Sequence, residues 1–169
     1  MDFPILSSLI LLPFIGALFI FFTRNNKENN ITVKYVALFT SLVNFFLSIY
    51  LWILFDQSKS DFQFIEDRIW IEGIINYKVG IDGISILFII LTSFITPLCI
   101  ISVNNSIKDR LGEFLIAVLV MESFMIGVFC SLDLVVFYLF FEAGLIPMFL
   151  FIGIWDGTSR VYYSFKVIL

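Results

Sequence analysis

The sequence is divided into long apolar runs by short polar stretches. Five runs are complete, at residues 3–22, 31–55, 84–103, 113–130 and 132–154. Each has about the 17–25 residues that a helix needs to cross a ~30 Å hydrocarbon core. A sixth run begins at Arg160 and stops at Leu169. At ~1.5 Å per residue it reaches about half way across. The sequence therefore predicts an all-α integral membrane protein with five complete transmembrane helices and a truncated sixth.

The composition supports a membrane protein and excludes several kinds of site. Of the chain, 60% is hydrophobic and 14% is charged, against about half and about a quarter in an ordinary globular chain. The chain has no histidine, and its two cysteines are Cys99 and Cys130. Histidine-ligated haem or zinc and a Cys₄ iron–sulfur cluster are therefore excluded within it, and we expect no cofactor in this chain. Both cysteines lie in apolar runs and are expected to be buried thiols.

The loops divide the chain into three parts and orient it. Residues 1–55 hold two N-terminal spans, residues 56–83 form a long polar loop, and residues 84–169 hold the third to fifth spans and the start of the sixth. The long loop and its side of the membrane carry three basic residues beside six acids, whereas the other side carries six basic residues. Because cytoplasmic loops are enriched in Lys and Arg, the N-terminus and the long loop are predicted to lie outside. Net charge is −4 with no basic run, so no nucleic-acid partner is expected.

The long loop contains two stretches of alternating residues, at 62–64 and 69–71, and these predict a short β-hairpin. The end of the loop, GIDGIS at 80–85, is typical of a helix start. Asp82 is expected to cap the third span by accepting a backbone N–H, where its charge suits the positive end of the helix. A cation site at Asp82 is the alternative.

Two carboxyls lie deep in apolar runs, Glu122 in the fourth span and Glu142 in the fifth. Buried ionisable groups cost about 2.5–3.5 kcal/mol on insertion scales and usually face a protein interior or a water-filled cavity. Counting from the turn near Ser131, both lie ~14–15 Å below the outer surface, near the midplane. Both are candidates for a proton relay. The alternative for each is a protonated carboxyl that is hydrogen-bonded to a neighbouring helix and helps helices associate.

Two further residues are secondary candidates. Pro147 follows Glu142 by five positions. It removes one N–H and leaves the Ala143 carbonyl without a helical partner, so the helix is expected to bend beside a buried acid. A bend that serves packing alone is equally compatible with the sequence. Lys166 lies six residues into the sixth run and either takes part in a relay or extends to the inner surface.

The strings SLDL (131–134), FYLFFE (137–142) and LIPMF (145–149) resemble the antiporter-like family of subunit M of bacterial NADH–quinone oxidoreductase, called subunit 4 in mitochondrial complex I. The match continues through Gly153-Ile154-Trp155, Arg160 and Phe165-Lys166, and it includes GIDGIS at 80–85. The resemblance covers the whole chain but corresponds to the N-terminal third of such a subunit.

The resemblance implies a membrane-arm, proton-pumping subunit without a redox centre. It also implies that the glutamate at position 142 belongs to the proton path and works with a lysine on a later helix. The implied partners are the other membrane subunits of respiratory complex I, the missing C-terminal part of the same subunit and the lipid bilayer. The implied location is the bacterial inner membrane or, alternatively, the mitochondrial inner membrane. A cation/proton antiporter subunit without redox coupling and a non-functional structural fragment are the competing hypotheses.

The charge asymmetry predicts the side on which residues 56–83 lie. A cysteine introduced by Lys59→Cys should react with a membrane-impermeant thiol reagent added from outside, because Lys59 lies in the long loop. Labelling is compared in intact cells and in inverted vesicles. Reaction from the cytoplasmic side alone would reverse the orientation.

Overall fold

Five helices of membrane-spanning length make up most of the structure, a computed structural model that describes residues 4–23, 30–59, 61–71, 75–103 and 110–155. The helices are α1 Ile5–Thr23, α2 Asn30–Leu54, α3 Gly83–Ser102, α4 Leu111–Cys130 and α5 Leu134–Leu150, which continues as a π-helical turn at Phe151–Trp155. All five, α5 being counted with its π-helical turn, are long and apolar enough to cross a membrane. The five predicted spans are confirmed, whereas the sixth run lies outside the described residues.

A β-hairpin separates α2 from α3. Strand β1 Gln63–Ile71 pairs antiparallel with β2 Ile75–Ile81. Both alternating stretches noted in the sequence lie in or beside β1, and the partner strand is a segment that was not expected to pair. The register is irregular between Gln63 and Glu66, where Phe64 has a φ of 54°. Bulges of this kind bend a strand and re-aim its side chains.

Three segments of the chain, one of them the hairpin, meet at one end of the helix bundle. The Leu132 N–H donates to the Lys78 carbonyl at 3.0 Å, and Ser131 forms a bridge with Val79. The start of α1 is bound to the same hairpin through Glu66, as described below. The beginning of α1, the β-hairpin and the α4–α5 turn therefore lie on one side. Five helices that cross the membrane alternately up and down require this arrangement.

Helix α4 lies at the centre of the bundle, since it contacts α1, α2, α3 and α5. Its small residues permit the close approach of α5: a Cβ at Gly127 would lie 2.7 Å from the ring of Phe140. Helix α5 in contrast buries only Val136 and Pro147. Because α4 is central and α5 is peripheral, Glu122 on α4 and Glu142 on α5 have different surroundings.

The outward faces of the helices carry large apolar side chains, as expected for surfaces in contact with lipid. Leu134, Phe22 and Ile53 are among the most exposed. Cys130 is fully buried, as predicted, but Cys99 is exposed. The prediction for Cys99 was wrong because an apolar run shows that a residue lies in the membrane, not which face of the helix it occupies.

Carboxylates cap two of the helices at the hairpin side. Asp82 accepts from the Ser85 N–H at 2.7 Å, which confirms its predicted role as the N-cap of α3. These hydrogen bonds with Ser85 lower the pKa of Asp82. Asp133, for which no role was predicted, caps α5 by accepting from Val135 at 2.8 Å and Val136 at 3.2 Å.

The start of α1 is capped by a carboxylate from the hairpin. Glu66 accepts from the backbone N–H of Leu6 at 2.9 Å and of Ser7 at 3.3 Å, and its carboxylate also contacts the Ser7 hydroxyl. The Ser7 hydroxyl lies 3.1 Å from the hydroxyl of Tyr77, whose pKa is raised by burial. A negative charge at this position suits the positive end of the helix. Glu66 therefore joins α1 to β1 across about 60 residues of sequence.

Glu66→Ala should destabilise the protein, because it leaves two backbone N–H groups of α1 without an acceptor. Loss of a helix cap costs about 0.5–2 kcal/mol, and hydrogen bonds to a charged group lie at the upper end of that range. The neighbouring Asp67→Ala is the control, since the side chain of Asp67 makes an exposed 3.9 Å ion pair with Lys78 and no other polar contact among the described residues. Thermal unfolding of the purified protein in detergent measures both. Equal shifts of the two midpoints would contradict the capping role.

Candidate intramembrane proton site

Glu122 lies in the interior of the helix bundle. It is 2% exposed, and one of its carboxyl oxygens, Oε1, accepts from the side-chain amide of Asn44 at 2.8 Å. Asn44 is itself fully buried in α2. Among the described residues Glu122 has no ion pair. A carboxyl at this depth was predicted to face a protein interior, and Glu122 does so.

Three polar atoms near this hydrogen bond are buried and have no hydrogen-bond partner among the described residues. They are Oδ1 of Asn44, Oε2 of Glu122 and Oγ of Ser123. A buried polar group left without a partner costs roughly 1–3 kcal/mol. Unpaired groups of this kind are uncommon in folded proteins. Oε2 of Glu122 is thus buried without a partner among the described residues, while Asn44 donates to Oε1.

A row of polar residues runs along the buried face of α2. Ser41, Asn44 and Ser48 are all fully buried, and their spacing of three and four residues places them on one face of the helix. The Ser48 hydroxyl lies 2.7 Å from the hydroxyl of Ser93 on α3. These residues were not predicted as site residues. The spacing itself was the available signal, because Val33, Ala37 and Leu51 continue the same buried face.

Glu142 is placed differently from Glu122. Its side chain is exposed on the outer face of α5 and accepts from the Tyr138 hydroxyl at 2.5 Å. The sequence predicted a carboxyl that faces a protein interior or a water-filled cavity; the described helices leave Glu142 exposed, so its surroundings stay a prediction. Glu142 shares its helix face with Tyr138 and Ile146, and the described chain leaves that face uncovered.

The two carboxyls are therefore not brought together by the described helices. Glu122 is hydrogen-bonded to Asn44 on α2, and Glu142 is hydrogen-bonded to Tyr138 one turn away on α5. The reason is the packing of α5, whose Phe140 lies against Gly127 of α4 and whose buried residues are Val136 and Pro147. Glu142 lies on the opposite side of that helix.

The secondary candidates have different outcomes. Pro147 is buried within α5, and α-helical geometry ends three residues later, where the π-helical turn begins at Phe151. π-Helical turns are rare and frequently occur at functional sites. Lys166 and Arg160 lie outside the described residues. A relay role for Lys166 stays a prediction.

These observations define a class of protein. The chain is a multi-pass membrane protein with five helices of spanning length and one carboxyl enclosed among them. No family model matches the chain.

Curated relatives identify the family that the sequence resembles. The chain is 44% identical over its whole length to NADH-quinone oxidoreductase subunit M of Rickettsia prowazekii (strain Madrid E). Over 80% of its length it is 55% identical to subunit M of Rhodobacter capsulatus, and over 92% it is 46% identical to NADH-ubiquinone oxidoreductase chain 4 of Marchantia polymorpha. The predicted resemblance to the N-terminal part of subunit M is confirmed. The chain spans 26–35% of the length of these relatives.

A solved structure shares the fold. A chain of the membrane-bound sulfane sulfur reductase, an archaeal respiratory membrane complex, superposes with a TM-score of 0.75 at 17% identity. The superposition covers 96% of this chain and 24% of the other. The five-helix arrangement with its hairpin is therefore also found in a distant membrane protein.

The hydrogen bond between Asn44 and Glu122 can be tested by a double-mutant cycle. Asn44→Leu or Glu122→Leu alone leaves one buried polar partner unpaired, which should cost roughly 1–3 kcal/mol, whereas removal of both partners can be nearly neutral. The double variant should therefore be more stable than the two single losses predict. Unfolding of the purified protein measures this.

Ser41→Ala provides the matched control for that cycle. Ser41 is buried one turn from Asn44, but its hydroxyl donates to the Leu38 carbonyl of its own helix at 3.0 Å. Its loss combined with Glu122→Leu should be additive. Additive losses for Asn44 and Glu122 as well would show that their contact contributes no coupling.

Proposed function

We propose that the chain is the N-terminal part of a membrane-arm, antiporter-like subunit of a proton-pumping NADH–quinone oxidoreductase. In this role it contributes to proton translocation that is coupled to electron transport. The observation that carries the proposal is the fully enclosed carboxyl of Glu122, which has one hydrogen-bond partner and no ion pair among the described residues. The relatives that the chain matches are named as subunits of such oxidoreductases.

A carboxyl inside the membrane can carry a proton because its charged and neutral forms differ strongly in stability there. A lone carboxylate is destabilised by the loss of water, whereas a nearby ammonium group stabilises it. Movement of that ammonium toward and away from the carboxyl alternately favours release and uptake of the proton. Glu142 is the residue that we propose for this step. Its exposed side chain can be approached from the uncovered face of α5.

Tyr138 supports this role for Glu142. Its hydroxyl donates to the carboxylate at 2.5 Å from one helical turn away, and both side chains lie on the uncovered face. The hydrogen bond holds the carboxyl in one orientation without the help of another helix. An ammonium group that approaches this face would meet a carboxylate whose second oxygen is free to bind it.

Glu122 is proposed as a supporting relay group. Its Oε1 atom is held by Asn44, so its orientation is fixed by α2 while Oε2 is available for proton exchange. Movement of a proton through this carboxyl requires only that Oε2 meet a donor or acceptor. The buried serine pair Ser48–Ser93 adds hydroxyl groups one turn further along α2.

The chain is proposed to act within an enzyme and not as an enzyme on its own. We propose that it holds neither a histidine-ligated haem nor a Cys₄ iron–sulfur cluster, because it has no histidine and two cysteines. Its partners are the remaining part of the same subunit, the other membrane subunits of the complex and the lipid bilayer. Its location is the bacterial inner membrane or, in a mitochondrion, the inner mitochondrial membrane. A cation/proton antiporter subunit without redox coupling is the competing function, and the experiment below distinguishes the two.

Glu142→Gln should impair proton pumping and coupled quinone reduction while the complex still assembles. Glutamine keeps the shape and accepts the hydrogen bond from Tyr138, but it cannot titrate. Glu142→Asp should retain part of the activity, since the charge survives with a shorter reach. NADH–quinone turnover and membrane potential are measured in vesicles that contain equal amounts of assembled complex. Pumping at the wild-type level by the Gln variant would make Glu142 a structural carboxyl.

Glu122→Gln is the companion variant and should reduce pumping less than Glu142→Gln does. The reverse order would place Glu122 in the main path. Normal NADH oxidation in a strain that lacks the polypeptide would favour the antiporter without redox coupling.

A further inference from the structure

A groove lies where the β-hairpin meets helices α4 and α5. Its volume is about 600 Å³, and its walls include Arg68 and Tyr77 of the hairpin, Phe124 of α4, and Leu139 and Ala143 of α5. The described side chains that the two helices contribute to it are apolar, whereas both hairpin residues carry polar groups. The groove is therefore polar at the hairpin and apolar along the helices.

The apolar part of the groove reaches from the hairpin to about the middle of the membrane. Val136, Leu139 and Ala143 line it at spacings of three and four residues, which places them on one face of α5. Helix α5 begins at Leu134 on the hairpin side. Ala143 lies nine residues further on, or about 14 Å along the helix, which is close to half of a ~30 Å hydrocarbon core. The groove thus has the depth of one leaflet.

Arg68 belongs to the face of the hairpin that is turned toward the helices. In the strand register it stands opposite Tyr77, which packs against the buried core. Because side chains alternate along a strand, Arg68 lies on the same face as Glu66, the residue that caps α1. Asp67 and Lys78 stand opposite each other on the other face and form an ion pair there. Arg68 is therefore the basic residue that the hairpin turns toward the groove.

The guanidinium of Arg68 has no ion pair among the described residues. The acid on its own face, Glu66, already accepts from the N–H groups of Leu6 and Ser7. Burial raises the pKa of Tyr77, and the nearby charge of Arg68 is a smaller effect in the opposite direction, so the tyrosine side chain is neutral. The planar guanidinium matches the oxygen atoms of a phosphate group. The mouth of the groove is thus suited to a phosphate anion.

We propose that this groove binds an anionic phospholipid of the leaflet on the hairpin side. The phosphate group binds Arg68, and one acyl chain lies along α5 between Phe124 and Leu139. The bound lipid connects the hairpin to α5, whose buried residues are Val136 and Pro147. The site goes beyond the proton role proposed for the chain and does not depend on it.

A phospholipid is the occupant that matches both ends of the groove. A free phosphate ion would bind at Arg68 but would leave the apolar walls of Phe124 and Leu139 uncovered. A helix from another part of the subunit would cover those walls but would leave the guanidinium without an anion unless it carried an acid at the same height. A lipid joins the two chemistries in one molecule, and basic pockets between membrane helices bind anionic headgroups.

Arg68→Gln tests the site in the assembled complex. The complex is reconstituted into vesicles that contain phosphatidylglycerol with a photoreactive diazirine on one acyl chain, and cross-linked peptides are identified by mass spectrometry. The label at residues 139–143 is divided by the label at residues 46–54 of α2, where Phe46, Trp52 and Ile53 are exposed. Arg68→Gln should lower this ratio roughly tenfold, because hydrogen bonds to a charged group are lost.

Lys78→Gln is the matched control for Arg68→Gln. It removes a cation from the same hairpin, but from the face on which Lys78 pairs with Asp67, so the ratio should stay at the wild-type value. Equal losses in the two variants would show a general effect of surface charge and overturn the proposal. A ratio just as high with a photoreactive phosphatidylcholine would also contradict it, because the site would then not select an anionic lipid.

The occupant itself is identified with a photoreactive benzoylphenylalanine in place of Leu139, which lines the groove and is 45% exposed. We expect cross-links to a phospholipid, and fewer of them when Arg68→Gln is combined with the probe. Cross-links to a peptide of the complex would overturn the proposal and show that a protein segment fills the groove. An excess of inorganic phosphate should leave the lipid cross-link in place. Loss of the cross-link under that condition would assign the mouth to free phosphate instead.

Discussion

The structure depends on one constraint, which is that a polar group in hydrocarbon must find its partner inside the protein. The helices satisfy the backbone, and the hydroxyls follow the same rule. Thr40, Thr92 and Thr96 donate to the carbonyl four residues earlier on their own helices. The hydrogen bonds of these hydroxyl groups are therefore satisfied within one helix, and no other helix is needed for them. Against this background Glu122 is distinctive, because among the described residues its hydrogen bond comes from another helix and its second oxygen has no partner.

The same constraint explains the position of the β-hairpin. The first N–H groups of a helix have no partner within it, and at the hairpin side each of three helices receives a carboxylate. Asp82 and Asp133 act within their own segments, while Glu66 reaches α1 from β1. The hairpin therefore does more than connect α2 to α3. It fixes the start of α1 and, through Lys78 and Leu132, the α4–α5 turn, and so holds the helices on which the buried site depends.

The sequence predicted the features that depend on residues close to one another along the chain. The spans follow from apolar runs, and the cap of α3 follows from Asp82 three residues before Ser85, so both were found. Asn44 and Glu122 are 78 residues apart, and nothing local to either pairs α2 with α4. Glu66 was missed for the same reason. The exposure of Glu142 was not predicted, because periodicity shows which residues share a face but not whether a neighbour covers that face.

The central position of α4 and the peripheral position of α5 separate what the two carboxyls can do. Glu122 is held by α2, so its hydrogen bond is a property of the described helices themselves. Within the described part of the chain, the partner of Glu142 is Tyr138 of its own helix. An exposed carboxyl inside hydrocarbon is costly, and such residues normally face other protein or water. The surroundings of Glu142 are therefore determined by what lies against the uncovered face of α5. A change in that covering would act on Glu142 directly, and on Glu122 only by moving α4.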